Sequence, residues 1–284
     1  MFPSDIRGEI NAREVVIGQG VVVEPGVLIT GKGGPAERVV LGDFCYIGRE
    51  TRILAPRFSL GDYSKLHAFG FGHGERPLQI GRNCWIGGNV VLDSMGGLDV
   101  DDNVGIGAHS QVWTHAQFGD IVEGCRFHSR KYMWIERDVW LVGHCVVSPV
   151  RLGERSMALL GSVITRDMLP NRVYGGAPAK DVTDKVGPQF APRTVAEKAA
   201  TLRELIARFE AKHPELAGQL EVVTASDQLR PGVTCFDVRD RTYTRTYSQA
   251  EVAFLKAHVP LVKFTPAGAP PFVQRDPEAD APTP

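Results

Sequence analysis

The sequence predicts an all-β solenoid, a stack of short parallel strands wound into coils, followed by a small α+β appendage. Three observations predict it. Aliphatic residues recur every six positions between residues 17 and 164. Glycine often follows the aliphatic, with Asp or Asn soon after. Beyond residue 192 the beat stops, and helical periodicity and capping signals replace it.

The beat begins at Ile17, Val23 and Ile29. It continues at Leu41, Ile47 and Ile53, then Leu60 and Leu66. Ile80, Ile86 and Leu92 follow, then Val100, Ile106 and Val112. After a long interruption come Ile135, Leu141 and Val147, and finally Leu152, Ala158 and Ile164. A period of six fits neither a helix at 3.6 nor a plain strand at 2. It fits a short strand and a tight turn, repeated, with one aliphatic filling the interior each time. The glycines (Gly42, Gly48, Gly61, Gly81, Gly87, Gly107) and the Asp and Asn residues are then expected to supply unusual corner dihedrals. Each coil is stable because its neighbours cover it. A β-sandwich would show strict alternation and irregular spacing instead.

The bulk properties narrow the function. The chain has 284 residues, a formal net charge of -1, 43% hydrophobic residues and 31 glycines. Such a charge recruits neither nucleic acid nor an anionic membrane. Residues 1–5 start no signal peptide, and no stretch is apolar enough for membrane insertion. The five cysteines (Cys45, Cys84, Cys125, Cys145, Cys235) are scattered and never form a C-x-x-C pair. They read as free thiols of a cytoplasmic protein, with no metal expected on them.

Three interruptions break the beat: residues 31–35 (GKGGP), 70–77 (GFGHGERP) and 116–133, the longest. Loops inserted in a solenoid cluster on one face and often carry the site. The solenoid is assigned to residues 1–192. Residues 193–266 form the α+β unit. There, Thr194-Val195-Ala196-Glu197 is a capping box opening a helix with Leu202, Leu205, Ile206 and Phe209 on one face. Residues 235–247 alternate as a strand or hairpin. Ser248-Gln249-Ala250-Glu251 is a second capping box, with a helix through about His258. The tail, 267–284, is rich in Pro and Ala and is expected to be disordered.

The repeat resembles that of the hexapeptide-repeat acyltransferases, whose fold is a left-handed parallel β-helix with three six-residue faces per coil. The resemblance supplies the hand. It extends to site motifs. The segment from Gly96-Gly97-Leu98 through Asn103-Val104 to Thr114-His115 is similar to the coil that leads to a T-H pair in the maltose, galactoside and polysaccharide O-acetyltransferases. Asp138-Val139-Trp140-Leu141-Val142-Gly143 resembles the family's N-V-W-I-G-G coil. Gly161-Ser162-Val163-Ile164-Thr165-Arg166-Asp167 resembles G-S-V-V-T-K-D, and Gly175-Gly176-Ala177-Pro178-Ala179-Lys180 resembles G-N-P-A-K. Leu141-Val142 departs from the family's I-G pair and Pro149-Val150 from its P-G. The step from Val147 to Leu152 is one residue short, so a corner there is altered.

By this resemblance the chain is an acetyl-coenzyme A-dependent O-acetyltransferase acting on a saccharide, and a homotrimer with sites between subunits. His115 is the general base, a task suited to imidazole, whose ordinary pKa of about 6.5 leaves much of it neutral. A nearby backbone N–H stabilises the oxyanion. Trp140, Gly143, Gly161, Thr165, Arg166, Pro178 and Lys180 bind the coenzyme, Lys180 as a charge partner of its phosphates. Asn89, Asp93, Trp113 and His128 are acceptor-side candidates; for Asn89 and Asp93 turn formation is the competing role, and for His128 a plain surface position. His67, His73, His109 and His144 read as structural. An N-acetyltransferase on an amino sugar or nucleotide-linked amino sugar is the alternative within the family. A γ-class carbonic anhydrase needs three histidines converging on zinc, two of them five apart, whereas His67 and His73, and His109 and His115, are six apart. A non-enzymatic scaffold would have no use for the coenzyme motifs.

Overall fold

In the computed structural model, which describes residues 1–274, the six-residue beat is the interior of the molecule. Val23, Ile29, Leu41, Ile47, Ile53, Leu60 and Leu66 are each 1% exposed or less. So are Ile80, Ile86, Leu92, Val100, Ile106, Val112, Ile135, Leu141, Val147, Leu152, Ala158 and Ile164. They stack inside a parallel β-helix with three faces, of ten, eight and six strands. Pairing is parallel throughout, except for the return strand Lys180–Asp181. Full burial of each aliphatic side chain contributes about 1.5–3 kcal/mol.

The register shows the coil length. Leu66 lies over Ile86 and Ile86 over Ile106 on the first face. Gly72 lies over Leu92 and Leu92 over Val112 on the second. Residues 20 apart therefore share a column. The interruption at 116–133 lengthens one coil, so that Ile106 pairs with Leu141 and Val112 with Val147.

Two details depart from the sequence reading. Ile17 belongs to the beat but is 40% exposed, because its strand, Ala12–Ile17, lies in the terminal coil with a neighbour on one side only. The glycines after the aliphatics are also not the residues with unusual dihedrals. The left-handed positions at the corner between the third and first faces are held by Phe44, Tyr63, Asn83, Asn103 and Asp138, and those between the first and second faces by Glu50, Phe69, Asn89 and His109. Gly61 is needed for a different reason: a Cβ there would meet the Gly81 carbonyl oxygen at 2.5 Å in the next coil. The aspartates that follow such glycines act as caps. Asp62 accepts from the Asp43 amide at 2.9 Å, and Asp102, which stands at the same corner after Asp101 rather than after a glycine, accepts from the Arg82 amide at 2.7 Å. Arg82, buried between these two carboxylates, balances their charge.

The shortened step from Val147 to Leu152 costs a strand. Leu152 stays in the core but joins Ile135 and Met168 only through isolated bridges, so the third face stops at Met133–Ile135. The solenoid unit continues to Phe190. Of the expected tail, residues 275–284 lie outside the described residues. Phe272 and Gln274 are ordered against the solenoid: Arg82 stacks over the Phe272 ring at 5.4 Å, and the Gln79 amide donates to the Gln274 carbonyl at 3.0 Å. An aromatic anchor outweighs the local composition there.

Residues 191–271 form the second unit. The Thr194 capping box opens the helix Val195–Lys212 and is complete on both sides. Leu202, Ile206 and Phe209 are buried, with Leu205 at the margin. A four-stranded sheet contains Leu220–Val223, Thr234–Asp237, Thr242–Tyr243 and Thr265–Pro266. Ser248 caps the helix Gln249–His258, but the second capping box does not close. Glu251 turns inward and accepts from the Thr246 amide at 2.6 Å and the Tyr247 amide at 3.0 Å. Two backbone donors of the preceding turn outcompete the cap. Among the described residues no helix is long and apolar enough to cross a membrane.

The contrast between Ile106 and Ile17 is testable. Ile106→Ala leaves a cavity in a covered rung and is expected to cost about 2–5 kcal/mol. Ile17→Ala, half out of the core, is expected to cost under about 1 kcal/mol. Thermal midpoints of the two variants check this.

Candidate functional site

The loops all leave the solenoid at one corner, between the second and third faces. The strand Val91–Asp93 ends at this corner and turns Asp93 inward, where it is fully buried. A buried carboxylate needs several donors to stay charged. Asp93 Oδ2 accepts from the Thr114 amide, the Thr114 hydroxyl and His115 Nδ1, each at 2.7 Å. Oδ1 accepts from the Met95 amide at 3.1 Å. Burial pushes the Asp93 pKa up, but the hydrogen bonds from His115 and Thr114 outweigh it and hold the group below the ordinary carboxylate range.

His115 therefore sits on a charged support. Because Asp93 is an acceptor, Nδ1 carries the proton and Nε2 presents a lone pair. Among the described residues nothing bonds Nε2, and the side chain is 23% exposed. This is the arrangement of a base oriented by a carboxylate.

The rings of Trp113 and His73 complete the surround. Trp113 lies 6.2 Å from His115, and its indole N–H is held by Gln111 Oε1 at 3.1 Å. His73, read from the sequence as structural, pairs directly with Asp93 across adjacent strands. Its ring is 6.2 Å from His115 and 6.3 Å from Trp113, nearly edge-on to His115. Its Nε2 lies 3.9 Å from Asp93 Oδ1. Burial lowers the His73 pKa; the Asp93 charge opposes this, while His115 and Lys32 add to it. The signal that finds it is its place 20 residues before Asp93, one coil apart.

The excursion returns beside His115. His115–Ala116 pairs antiparallel with Ser129–Arg130, Arg130 opposite His115. The return strand passes so close to Gly96 that a Cβ there would lie 2.1 Å from the Lys131 carbonyl oxygen. Arg130 Nε donates to the Met95 carbonyl at 2.6 Å, and Nη2 pairs with Glu75 at 3.0 Å. Lys32 pairs with the other oxygen of Glu75 at 3.2 Å. Residues of all three sequence interruptions are thus tied by charge. His128 is held within the excursion, its Nε2 bonding the Gly119 carbonyl at 2.8 Å.

The other sequence candidates separate into two groups. Asn89 is an exposed left-handed corner residue between the first and second faces. Four residue steps, about 13 Å of extended chain, separate it from Asp93. Asp93 itself is fully buried and bonds His115 Nδ1. The coenzyme candidates lie on the last coils. Trp140, 44% exposed, packs over Gly105 on the first face. Gly143 and Gly161 are positive-φ corner residues. Thr165 and Arg166 are exposed just after the strand Val163–Ile164. Pro178 and Lys180 are exposed on the closing turn, where the Ala179 amide bonds the Val163 carbonyl at 2.8 Å. The two glycines, Thr165, Arg166, Pro178 and Lys180 stand one to three rungs from the His115 coil, about 5–14 Å along the axis. Among the described residues no three His, Cys, Asp or Glu side chains are grouped to hold a metal ion.

Known proteins carry related sequences and shapes. The galactoside O-acetyltransferase of Escherichia coli (strain K12) is 27% identical over 117 residues, 40% of this chain and 57% of that protein. The chain thus matches little more than half the length of that relative. No protein-family model matches. Among solved structures, a maltose O-acetyltransferase from Clostridium difficile 630 covers 61% of this chain and 67% of its own, at a TM-score of 0.32 and 14% identity. The N-acyltransferase AntD from Bacillus cereus, in complex with dTDP and 3-hydroxybutyryl-CoA, covers 72% and 93%, at 0.41 and 14%. A hexapeptide-repeat acetyltransferase from Vibrio cholerae O1 biovar eltor, complexed with acetyl coenzyme A, covers 55% and 69%, at 0.27 and 22%. The fold rests on this chain's own strand register, not on these low scores.

The Asp93 carboxyl, held below its ordinary range when folded, stabilises the fold at neutral pH. That contribution is lost as the pH falls through its folded-state value. Asp93→Asn is therefore expected to have a lower thermal midpoint than wild type near neutral pH, with the gap closing as the pH falls below the ordinary carboxylate range. A gap that does not change with pH would contradict the assignment.

Proposed function

We propose that this chain, a hexapeptide-repeat protein of the acyltransferase family, transfers an acetyl group from acetyl-coenzyme A to a hydroxyl of a saccharide. The observation that carries the reading is the buried Asp93 holding His115 with Nε2 free at the mouth of the loop corner. When bound, the coenzyme supplies an activated thioester. His115 Nε2 takes the proton of the acceptor hydroxyl as that oxygen attacks the thioester carbonyl. It then returns the proton to the departing sulfur as the C–S bond breaks. Asp93 stabilises the imidazolium between these events without itself accepting a proton. No acyl-enzyme is required, and no metal takes part in this reading.

Arg166 and Lys180 are the cations for the coenzyme phosphates, with Thr165, Pro178, Gly143, Gly161 and Trp140 lining the path from them to the base. Trp113 offers a flat ring for a sugar face. The donor residues lie on an outer surface of the prism, which supports a homotrimer in which an adjacent copy forms the opposite wall. Five free cysteines support a cytoplasmic setting. An amino-sugar nitrogen, free or nucleotide-linked, would be served by the same base, and parallel assays with amino sugars separate the two acceptors.

Coenzyme A release measured across sugars and nucleotide-sugars tests the reading. His115→Ala is expected to keep its fold and lose at least about a hundredfold in turnover. A near-normal rate in that variant would sink the proposed base. Acetyl-coenzyme A at about a hundred times its Kd is expected to stabilise the wild type by about 2.7 kcal/mol, seen as a raised thermal midpoint. The shift is expected to shrink in Arg166→Ala and Lys180→Ala while His115→Ala retains it; no shift in the wild type would favour a scaffold.

A further inference from the structure

The buried carboxylate that orients the base has a second oxygen, and a second histidine covers it. Asp93 Oδ2 is fully committed to Thr114 and His115. Oδ1 has one backbone donor, the Met95 amide, and then faces His73 Nε2 at 3.9 Å. That separation is too long for a direct hydrogen bond and too short for a water to stand in line between the two atoms. His73 is fixed where it is. Its carbonyl accepts from the Ser94 amide at 2.7 Å, its ring stacks on Phe71 at 4.9 Å, and its Cα is the direct strand partner of Asp93. The ring lies on the Oδ1 side of the carboxylate, itself 25% exposed where Asp93 is fully buried.

We propose that His73 is a positioning residue for the acyl transfer: its imidazole closes Asp93 against water and keeps that carboxylate committed to His115. Water reaching Oδ1 would draw on the charge that holds the His115 N–H, and the base would lose its fixed tautomer and orientation. A charged side chain in the same place would do worse, pairing with Asp93 and competing with His115. A neutral imidazole avoids that, and burial favours the neutral form here, against the pull of Asp93 and with Lys32 and His115 as the other facing cationic or titratable groups. His73 contacts neither reacting atom in this account; it acts through Asp93. The inference rests on His115 being the base.

The test combines kinetics with a measurement that needs no turnover. His73→Ala is expected to lower kcat about tenfold with the acetyl-coenzyme A KM unchanged, and His73→Gln, which keeps a neutral N–H, to recover most of it. The same His73→Ala change made in Asp93→Asn is expected to have almost no further effect, because the path it acts through is already gone. An equal loss in both backgrounds, or a loss confined to the acceptor KM, would overturn the proposal in favour of a direct substrate contact. Long-range proton–nitrogen spectra of the labelled imidazoles give the second readout. Wild type and His73→Gln are expected to hold His115 with the proton on Nδ1, and His73→Ala to mix the two tautomers. An unchanged His115 signal in His73→Ala would overturn it as well. If instead the wild type transfers no acyl group, the functional reading fails by itself, while the spectra still decide whether His73 governs His115.

Discussion

Each coil of this solenoid is stable because another coil covers it, and that mutual cover requires every rung to keep the same register. One aliphatic per face points into a shared column, and a slip of one residue would turn the whole column outward. The register then fixes everything outside the column too. Residues one coil apart, such as His73 and Asp93, are brought side by side with their backbones already paired. The site is thus a by-product of the stacking rule: chemistry is assembled from successive coils at positions that the core has already set.

The charged interior group shows why the rule matters for function. A carboxylate removed from water needs its donors in place before any substrate arrives. Here the donors come from the corner of the next coil, through the Thr114 amide and hydroxyl and the His115 ring. A flexible loop could not hold three donors at such distances without losing conformational freedom. The rungs have already fixed them, so the His115 ring is oriented in the free protein.

Much of this was legible in the sequence, and the exceptions have physical causes. The six-residue beat identified the interior down to single side chains, because burial in a solenoid depends only on position in the repeat. It failed at Ile17, where there is no outer neighbour. The corners were harder to read. Asn and Asp do hold unusual dihedrals, at Asn83, Asn89, Asn103 and Asp138, but Phe44, Tyr63 and Glu50 hold others, and the glycines after the aliphatics serve instead the close approach of one coil to the next. Asp93 precedes His115 by about one coil, but nothing local in the sequence reveals that it faces inward. His73 is not legible because its partner is distant in sequence and adjacent only once the coils are stacked. The incomplete capping box at Ser248 likewise hid the inward turn of Glu251.

The three corners of the prism are not equivalent. Two of them depend on a left-handed residue in coil after coil, which fixes their length. The third carries every inserted loop, from the short Gly31 turn to the eighteen-odd residues beside the base. Insertions there leave the aliphatic column and the other two corners untouched. A scaffold of this kind separates what is constant from what can vary: segments at one edge can be lengthened, shortened or exchanged while the His115–Asp93 pair and the stacked interior stay as they were.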